Sequence, residues 1–351
     1  MISVLNAMPG MLTKSLIKDP LGIRWYGGVV LYAVTMCGLG FAGLFAANWA
    51  VNATATLALA HGMIIAAYLI HECAHNLVFT KARHNAQLGR FLGWLCGASY
   101  GTYEDIRYKH FRHHVDNDDV VWFEYDAFFE RHPLVTKTTR LLEWCYVPAH
   151  DLILHGVMIL TSLVSPQRRN QRTRNLVVIA IRGAIFIALL VFAAKVALLY
   201  VVAYLIMMHV LRFMDSVQHD YGYNATLFEY VEPPHEGDAA WEQEHTFSNP
   251  LSLRYPWLNL LVLNFGYHNA HHADMNQPFY RLPALHRELT GDDPVRVVPL
   301  GAQLKLYHRN RVRRVYNPQP DNYPQGQAYL DAARSGLAPV GGNAASFLTS
   351  F

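Results

Sequence analysis

Apolar and polar positions fall along this chain in long blocks rather than in short alternations, the pattern of buried or lipid-facing helices and not of strands. Gly27 to Asn48 carries no charge over 22 residues, which as a helix reaches roughly 33 Å, enough for a bilayer core. Trp25 and Tyr26 at one end and Trp49 at the other suit the two interfaces. The short uncharged link Ala50 to Thr54 predicts an immediate return through Ala55 to Ile70. On that return Ala58, Gly62 and Ala66 form a small-residue seam for close helix packing, and His61 reads as a hydrogen-bonded packing residue. A second pair of apolar runs, Leu176 to Phe192 and Val196 to Leu211, is divided by Lys195. Residues 139–164 read as interfacial, because Leu152 to Val164 is short for a span and is interrupted by His155.

These runs predict an all-α integral membrane protein: one domain over residues 1–316, with four spans near 27–48, 55–70, 176–192 and 196–211 arranged as two hairpins. From residue 317 onward proline, glycine and small residues dominate, so 317–351 is expected to be a loosely structured tail. Lys14, Lys18 and Arg24 precede the first span, and Lys81, Arg83 and Arg90 follow the second. Arg168, Arg169, Arg172 and Arg174 precede the third, and Arg212 closes the fourth. The positive-inside rule puts all four ends on the cytoplasmic side, with Arg182 snorkelling from the third span toward its basic end. The N-terminus lacks a short cleavable apolar core, so the first span is expected to be retained.

The polar blocks at those ends carry histidines at helical spacing. His71-Glu72-Cys73-Ala74-His75 ends the second apolar run, and residues four apart share a helix face. His110, His113 and His114 follow the pattern HxxHH, and His268, His271 and His272 repeat it. Asp215 and His219, again four apart, continue the fourth run. A lone histidine pair on a helix is more often packed or solvated than ligating. Three clusters, two of them identical, instead indicate a multi-histidine metal centre in a helical cap on the cytoplasmic side. Glu104 and Asp105 lead into the second cluster and Asp116, Asp118 and Asp119 follow it; most of these acids are expected to be solvated, and one or two to orient imidazole N–H groups.

Read literally, residues 71–75 also spell HExxH, the zinc-protease motif in which Glu72 would activate a metal-bound water. That chemistry needs one further ligand and leaves most of the remaining clustered histidines without a task. Eight or nine imidazoles suit two ions of higher coordination, and the protease stands as the rival reading. Gly89, Gly93, Gly97 and Gly101 fall at every fourth residue between two histidine clusters. They read as a helix-packing stripe or as the wall of a channel for a straight acyl chain.

Composition adds three exclusions. The mean hydropathy of +0.09 hides the blocks described above. The net charge of +3, with basic residues beside apolar spans, gives no nucleic-acid signature. Cys37, Cys73, Cys96 and Cys145 form no CxxC pair, which excludes a disulfide scaffold and an internal iron–sulfur cluster. Neutral imidazole suits iron, copper and zinc alike, and attack on an inert lipid C–H bond needs a redox metal and O2.

HxxxH, HxxHH and HxxHH at these positions on four spans resemble the membrane fatty acid desaturase and hydroxylase superfamily, over roughly residues 25–290. The resemblance implies two iron ions held by His71, His75, His110, His113, His114, His219, His268, His271 and His272. Zinc is the expected substitute in overexpressed protein. It also implies Asp215, or Glu72, beside the metal as an outer or water-mediated residue, O2 as co-substrate, and a fatty acid or fatty acyl substrate. Desaturation is the default reaction. Oxidative decarboxylation of a free fatty acid to a terminal alkene and hydroxylation are the alternatives. With no cytochrome or iron–sulfur segment in the sequence, electrons are expected from a separate donor such as a ferredoxin with its reductase. An acidic donor or a substrate carboxylate could dock at Arg168 to Arg174 or Arg309 to Arg314; topology signal and headgroup contact are the plainer readings of those segments.

Overall fold

The computed structural model describes residues 16–222, 225–291, 296–315 and 323–338. Among them the regular structure is helical, with isolated bridges and no strand. Helix α1, Gly22–Gly43, and α2, Trp49–Ala74, form the first hairpin. Then come α3 Ala82–Cys96, α4 Tyr103–Asp116, α5 Tyr125–Arg131, α6 Pro133–Trp144 and α7 Ala149–Val164. The second hairpin is α8, Arg172–Phe192, with α9, Ala194–Asp215. Short helices follow: α10 Ala239–Glu244, α11 His268–Ala273, α12 Leu282–Thr290, α13 Leu300–Asn310 and α14 Gly326–Arg334. Helices α1, α2 and α9, and α8 with the short 3-10 turn before it, are long and apolar enough to cross a membrane. The protein is therefore all-α and an integral membrane protein.

Helix α2 is the axis. From Leu59 to Ala74 every residue but His61 is buried, whereas α1, α8 and α9 expose Leu31, Leu39, Ile187, Phe192 and Leu198. An outer helix with that composition is stable only with hydrocarbon around it. The α1–α2 seam is as close as small residues permit. A Cβ on Gly62 would lie 2.7 Å from Cys37 Sγ, and one on Gly40 2.6 Å from Leu59 N. The seam runs through Ala55, Leu59 and Gly62 rather than through Ala58, which is half-buried. His61 packs as expected: Nε2 donates to Leu261 O, 3.0 Å away, which leaves Nδ1 to accept from Tyr32 Oη at 2.7 Å. At the far end of the hairpin Asn48 caps α2, and Lys195 reaches across from α9 to Ala46 O and Asn52 Oδ1. A cation there satisfies carbonyls that the end of α1 leaves open.

Helix α3 departs from the sequence expectation. It stops at Cys96 because Gly97 takes φ +94°, a left-handed conformation that favours glycine. Residues 97–102 then run back without helical hydrogen bonds to α4. Two arginines of α8 satisfy that stretch: Arg182 donates to Trp94 O, and Arg174 donates to Ser99 O, Tyr100 O and Gly101 O. Non-helical backbone among spans requires such partners, so Arg182 turns inward to the end of α3 instead of snorkelling. The four glycines consequently share no helix face. A Cβ on Gly89 would strike the Tyr103 ring, one on Gly97 the Tyr204 ring and one on Gly101 Met158 Sδ, whereas Gly93 has its nearest neighbour at 3.8 Å. Gly97→Ala is expected to destabilise by about 1–3 kcal/mol through its backbone alone. Gly93→Ala should be neutral or stabilising, because alanine is the better helix former. Apparent melting temperatures of the two purified variants check this.

The tail expectation needs correction in part. Gly326–Arg334 is a helix whose Tyr329, Leu330 and Ala333 are buried against Val217, Phe247, Val298 and Leu306. Its apolar residues recur at helical spacing, and that pattern prevails over the surrounding proline and glycine. Residues 317–322 and 339–351, and Lys14, lie outside the described residues.

Candidate metal centre

Each histidine cluster sits where its helix ends. Helix α2 stops at His75 because Asn76 adopts φ +54°, and α4 stops at Asp116 because Asn117 adopts φ +52°. Asparagine tolerates the left-handed cap better than most residues. Thr102 caps the start of α4 by accepting from Asp105 N, with Glu104 and Asp105 in its first turn, the favourable end for acids. The third cluster is the short helix α11 itself. Its Asn269 is pinned by Ser248 Oγ and Thr246 O, which fixes the ring directions on either side.

Nine histidines converge in two groups. His71, His75, His110, His114 and His271 form one, and His113, His219, His268 and His272 form the other. In the first, Nε2 atoms face one another: His75 to His110 at 2.5 Å, His71 to His271 at 3.1 Å, and His271 to His114 at 3.0 Å. In the second, His219 Nε2 lies 2.7 Å from His268 Nε2 and 3.1 Å from His113 Nε2. Nitrogens packed this way cannot all be satisfied by sharing protons. All nine expected ligands are therefore brought together.

The donor chemistry fits metal ions. Burial, reinforced by neighbouring charge, holds His75, His110, His114, His219, His268, His271 and His272 well below the usual imidazole range, so they are neutral and their lone pairs open. The outer contacts set the tautomers. His272 Nδ1 donates to Glu242 Oε1 at 2.6 Å, while its buried Nε2 has no hydrogen-bond partner. Thr246 Oγ1 donates to Glu242 O and so must accept from His219 Nδ1, which leaves His219 Nε2 for the centre. His113 Nδ1 faces Asp119 Oδ1 at 3.2 Å and Asp118 O at 3.3 Å. These residues would hold two ions, one in each group.

Glu242 was not legible as a site residue, since nothing in the polar stretch before Pro256 marks it. It stands between the groups, 3.9 Å from His114 Nδ1 as well as bonded to His272. Burial pushes its carboxyl up to about 7, with His113 opposing. Glu242→Leu is expected to weaken the second centre about 10–100-fold in metal affinity, read as bound metal per chain falling from two toward one in a chelator titration.

The two outer residues named from the sequence behave differently. Glu72 accepts from Tyr26 Oη at 2.6 Å and from Phe279 N at 3.1 Å, and is absent from either converging group. It ties the start of α1 and the loop after α11 to the foot of α2, a strut rather than the base of a hydrolytic water. Asp215 is buried but also stands outside both groups. Its charge acts on Lys109, which burial lowers to about 7 against the opposing pull of Asp119 and Asp215. The basic segments are largely engaged within the chain. Arg168 pairs with Asp105, Arg172 donates to Leu163 O, and Arg314 is buried near Glu143.

A family model described as fatty acid desaturase matches residues 47–302. No curated protein and no solved structure matches the chain.

Proposed function

The chain belongs to the fatty acid desaturase family, and from that premise we propose that it is an O2-dependent di-iron oxidoreductase acting on a fatty acyl chain. The observation that carries the reading is the division of nine buried histidines into groups of five and four at the feet of apolar helices. His71, His75, His110, His114 and His271 would hold one iron, and His113, His219, His268 and His272 the other. Iron and O2 supply the oxidising power to remove hydrogen from an unactivated C–H bond, which no side chain possesses. Burial holds His71, His75, His110, His114, His219, His268, His271 and His272 neutral, and Glu242, Thr246 and Asp119 orient His272, His219 and His113. A ligand set free of carboxylates adds no charge of its own beside the bilayer.

Several features support the remaining assignments. Lys81, Arg83, Arg168 and Arg169 border the histidine-bearing ends of the two hairpins, which supports a cytoplasmic active site. A cavity of 410 Å³ lined by Phe41, Trp94, Tyr100, Phe186, Leu189 and Tyr200 lies among α1, α3, α8 and α9, of a size and polarity suited to part of an apolar ligand. It supports an acyl substrate, with aromatic side chains of the 94–100 segment rather than the glycines as its wall. Electrons come from a separate one-electron carrier with its reductase. Desaturation is the default outcome.

Product analysis by mass spectrometry tests the reading, with iron-loaded protein, a chemical or protein reductant, and candidate acyl substrates. An internal double bond supports desaturation. A terminal alkene one carbon shorter, with CO2, or a hydroxylated chain selects a family alternative. Peptide cleavage by a protein holding one zinc, with acyl chains untouched, refutes the proposal in favour of the protease.

A further inference from the structure

The second histidine group has a feature that ligand binding does not explain. The His219 ring stacks on Tyr221, with centroids 4.1 Å apart and planes 28° apart. Tyr221 stacks in turn on Trp241 at 5.2 Å and 24°. Trp241 then lies against His235 at 4.1 Å and 8°, and against His245 at 4.0 Å and 19°. Aromatic pairs in folded proteins are commonly edge-on or offset, and most ring pairs among the ligands themselves are steep or tilted. Here near-parallel rings continue from a metal ligand to a side chain that is only half-buried. Tyr221 is buried, and its ring also reaches His113, another histidine of that group, at 5.6 Å.

The rest of the stack's environment is built to hold it. Tyr221 Oη bonds Thr246 Oγ1, the same hydroxyl that orients His219. Asp238 caps α10 by accepting from Ala240 N and Trp241 N, which fixes the indole's backbone. His245 Nδ1 is bonded to Asp220 Oδ1. In the stretch 229–244 that carries Trp241, every exposed charged side chain is acidic. Glu229, Glu232, Glu236, Asp238 and Glu244 are exposed, and residues 229–244 contain no lysine or arginine.

On the strength of the di-iron reading, we propose that Trp241 and Tyr221 form the path by which electrons enter the second centre through His219. The donor that seats on this face is a one-electron carrier presenting a basic surface, the complement of the carboxylates around Trp241. The step balances simply. One electron leaves the donor, one arrives at the metal pair, and the two rings are unchanged in net. This face differs from the basic segments expected to receive an acidic donor, whose guanidinium groups are largely occupied inside the chain.

A tethered photoreductant tests the path without turnover. Cys37, Cys73 and Cys96 are buried and Cys145 is exposed, so a ruthenium label can be placed at position 236 in a Glu236→Cys, Cys145→Ser protein. Native Cys145 carries the control label. With two irons per chain verified, and with substrate and O2 absent, a flash should reduce the centre, followed by absorbance and by paramagnetic resonance. Trp241→Leu and Tyr221→Leu are each expected to slow reduction from position 236 by at least an order of magnitude. Reduction from Cys145 should be unchanged, and Trp241→Phe and Tyr221→Phe should keep most of the rate. Should Tyr221→Leu lose iron, Trp241→Leu decides, because Trp241 touches no ligand. Leucine variants with full iron and the wild-type rate overturn the path. A centre that accepts no electron from either label overturns the di-iron reading itself. For the docking face, reduction by the free methyl viologen radical cation should slow as salt rises and in Glu232→Gln/Glu236→Gln protein; indifference to both removes that part of the proposal.

Discussion

His271→Ala protein is expected to lose its metal and at least about 100-fold of its turnover, since loss of even an outer partner of a metal site costs about 10–100-fold. His271 supplies the only ring of α11 to the five-histidine group, and its Nε2 bridges His71 and His114. Removing it leaves a buried void and four imidazoles whose positions it had fixed. His219→Ala should act on the other centre, where four rings become three, the number a catalytic site with open positions can still use. Iron per chain is therefore expected to fall furthest at the centre that each substitution addresses. Glu72→Gln is the contrast. Its partners are a tyrosine hydroxyl and a backbone N–H that donate to one and the same carboxylate oxygen, and an amide oxygen placed there can still accept from both. Both irons and most activity should survive. Metal analysis with single-turnover product yield reads all three variants. Full turnover by a metal-replete His271→Ala protein, with catalysis abolished in Glu72→Gln, would reverse the assignment toward the protease.

Arg212→Met is expected to produce the largest loss of stability, about 3–5 kcal/mol, the cost of leaving buried charge uncompensated. The guanidinium closes α9 directly before Asp215. It donates to both oxygens of Glu143 on α6, and to Asp151 Oδ2 on α7 at 2.6 Å. All three side chains are buried. Arg314 adds a second buried cation 3.8 Å from Glu143, and the Tyr307 ring lies beneath both guanidinium groups. This knot fastens α6 and α7 to the end of the span that delivers His219. Arg212→Lys should recover little, because an ammonium cannot match the bidentate geometry. The variant Arg212→Met/Arg314→Met/Glu143→Gln/Asp151→Asn should recover most of the loss, since it removes the stranded charges of both signs. Apparent melting temperature in detergent measures each. Equal stability of wild type and Arg212→Met would show that water reaches the knot.

What the sequence determined by itself was everything that depends on position along one helix. Apolar run length fixed which segments cross a bilayer, and helical spacing grouped the histidines. The rule of about 100° per residue also separates the members of one cluster. In each HxxHH cluster the i, i+4 pair lies about 40° apart, while the i+3 residue falls on the other side of the first. The structure uses that divergence twice. His110 and His114 fall in one group with His71 and His75, and His113 falls in the other. His268 and His272 join the second group, and His271 joins the first.

Only tertiary structure could decide which pair meets which, because that depends on how α4 and α11 are inserted between the feet of α2 and α9. The same limit explains the other differences. Gly97 ends α3 because Tyr204 and the return to α4 demand it, contacts far apart in sequence. Arg182 points to Trp94 because an open helix end lies within reach. Glu242, Thr246 and Tyr221 reach the clustered histidines through chain folding across an irregular stretch, where no period marks a side chain. Local geometry is written into neighbouring residues, whereas a ligand's outer partners are set by packing between segments that the sequence keeps apart.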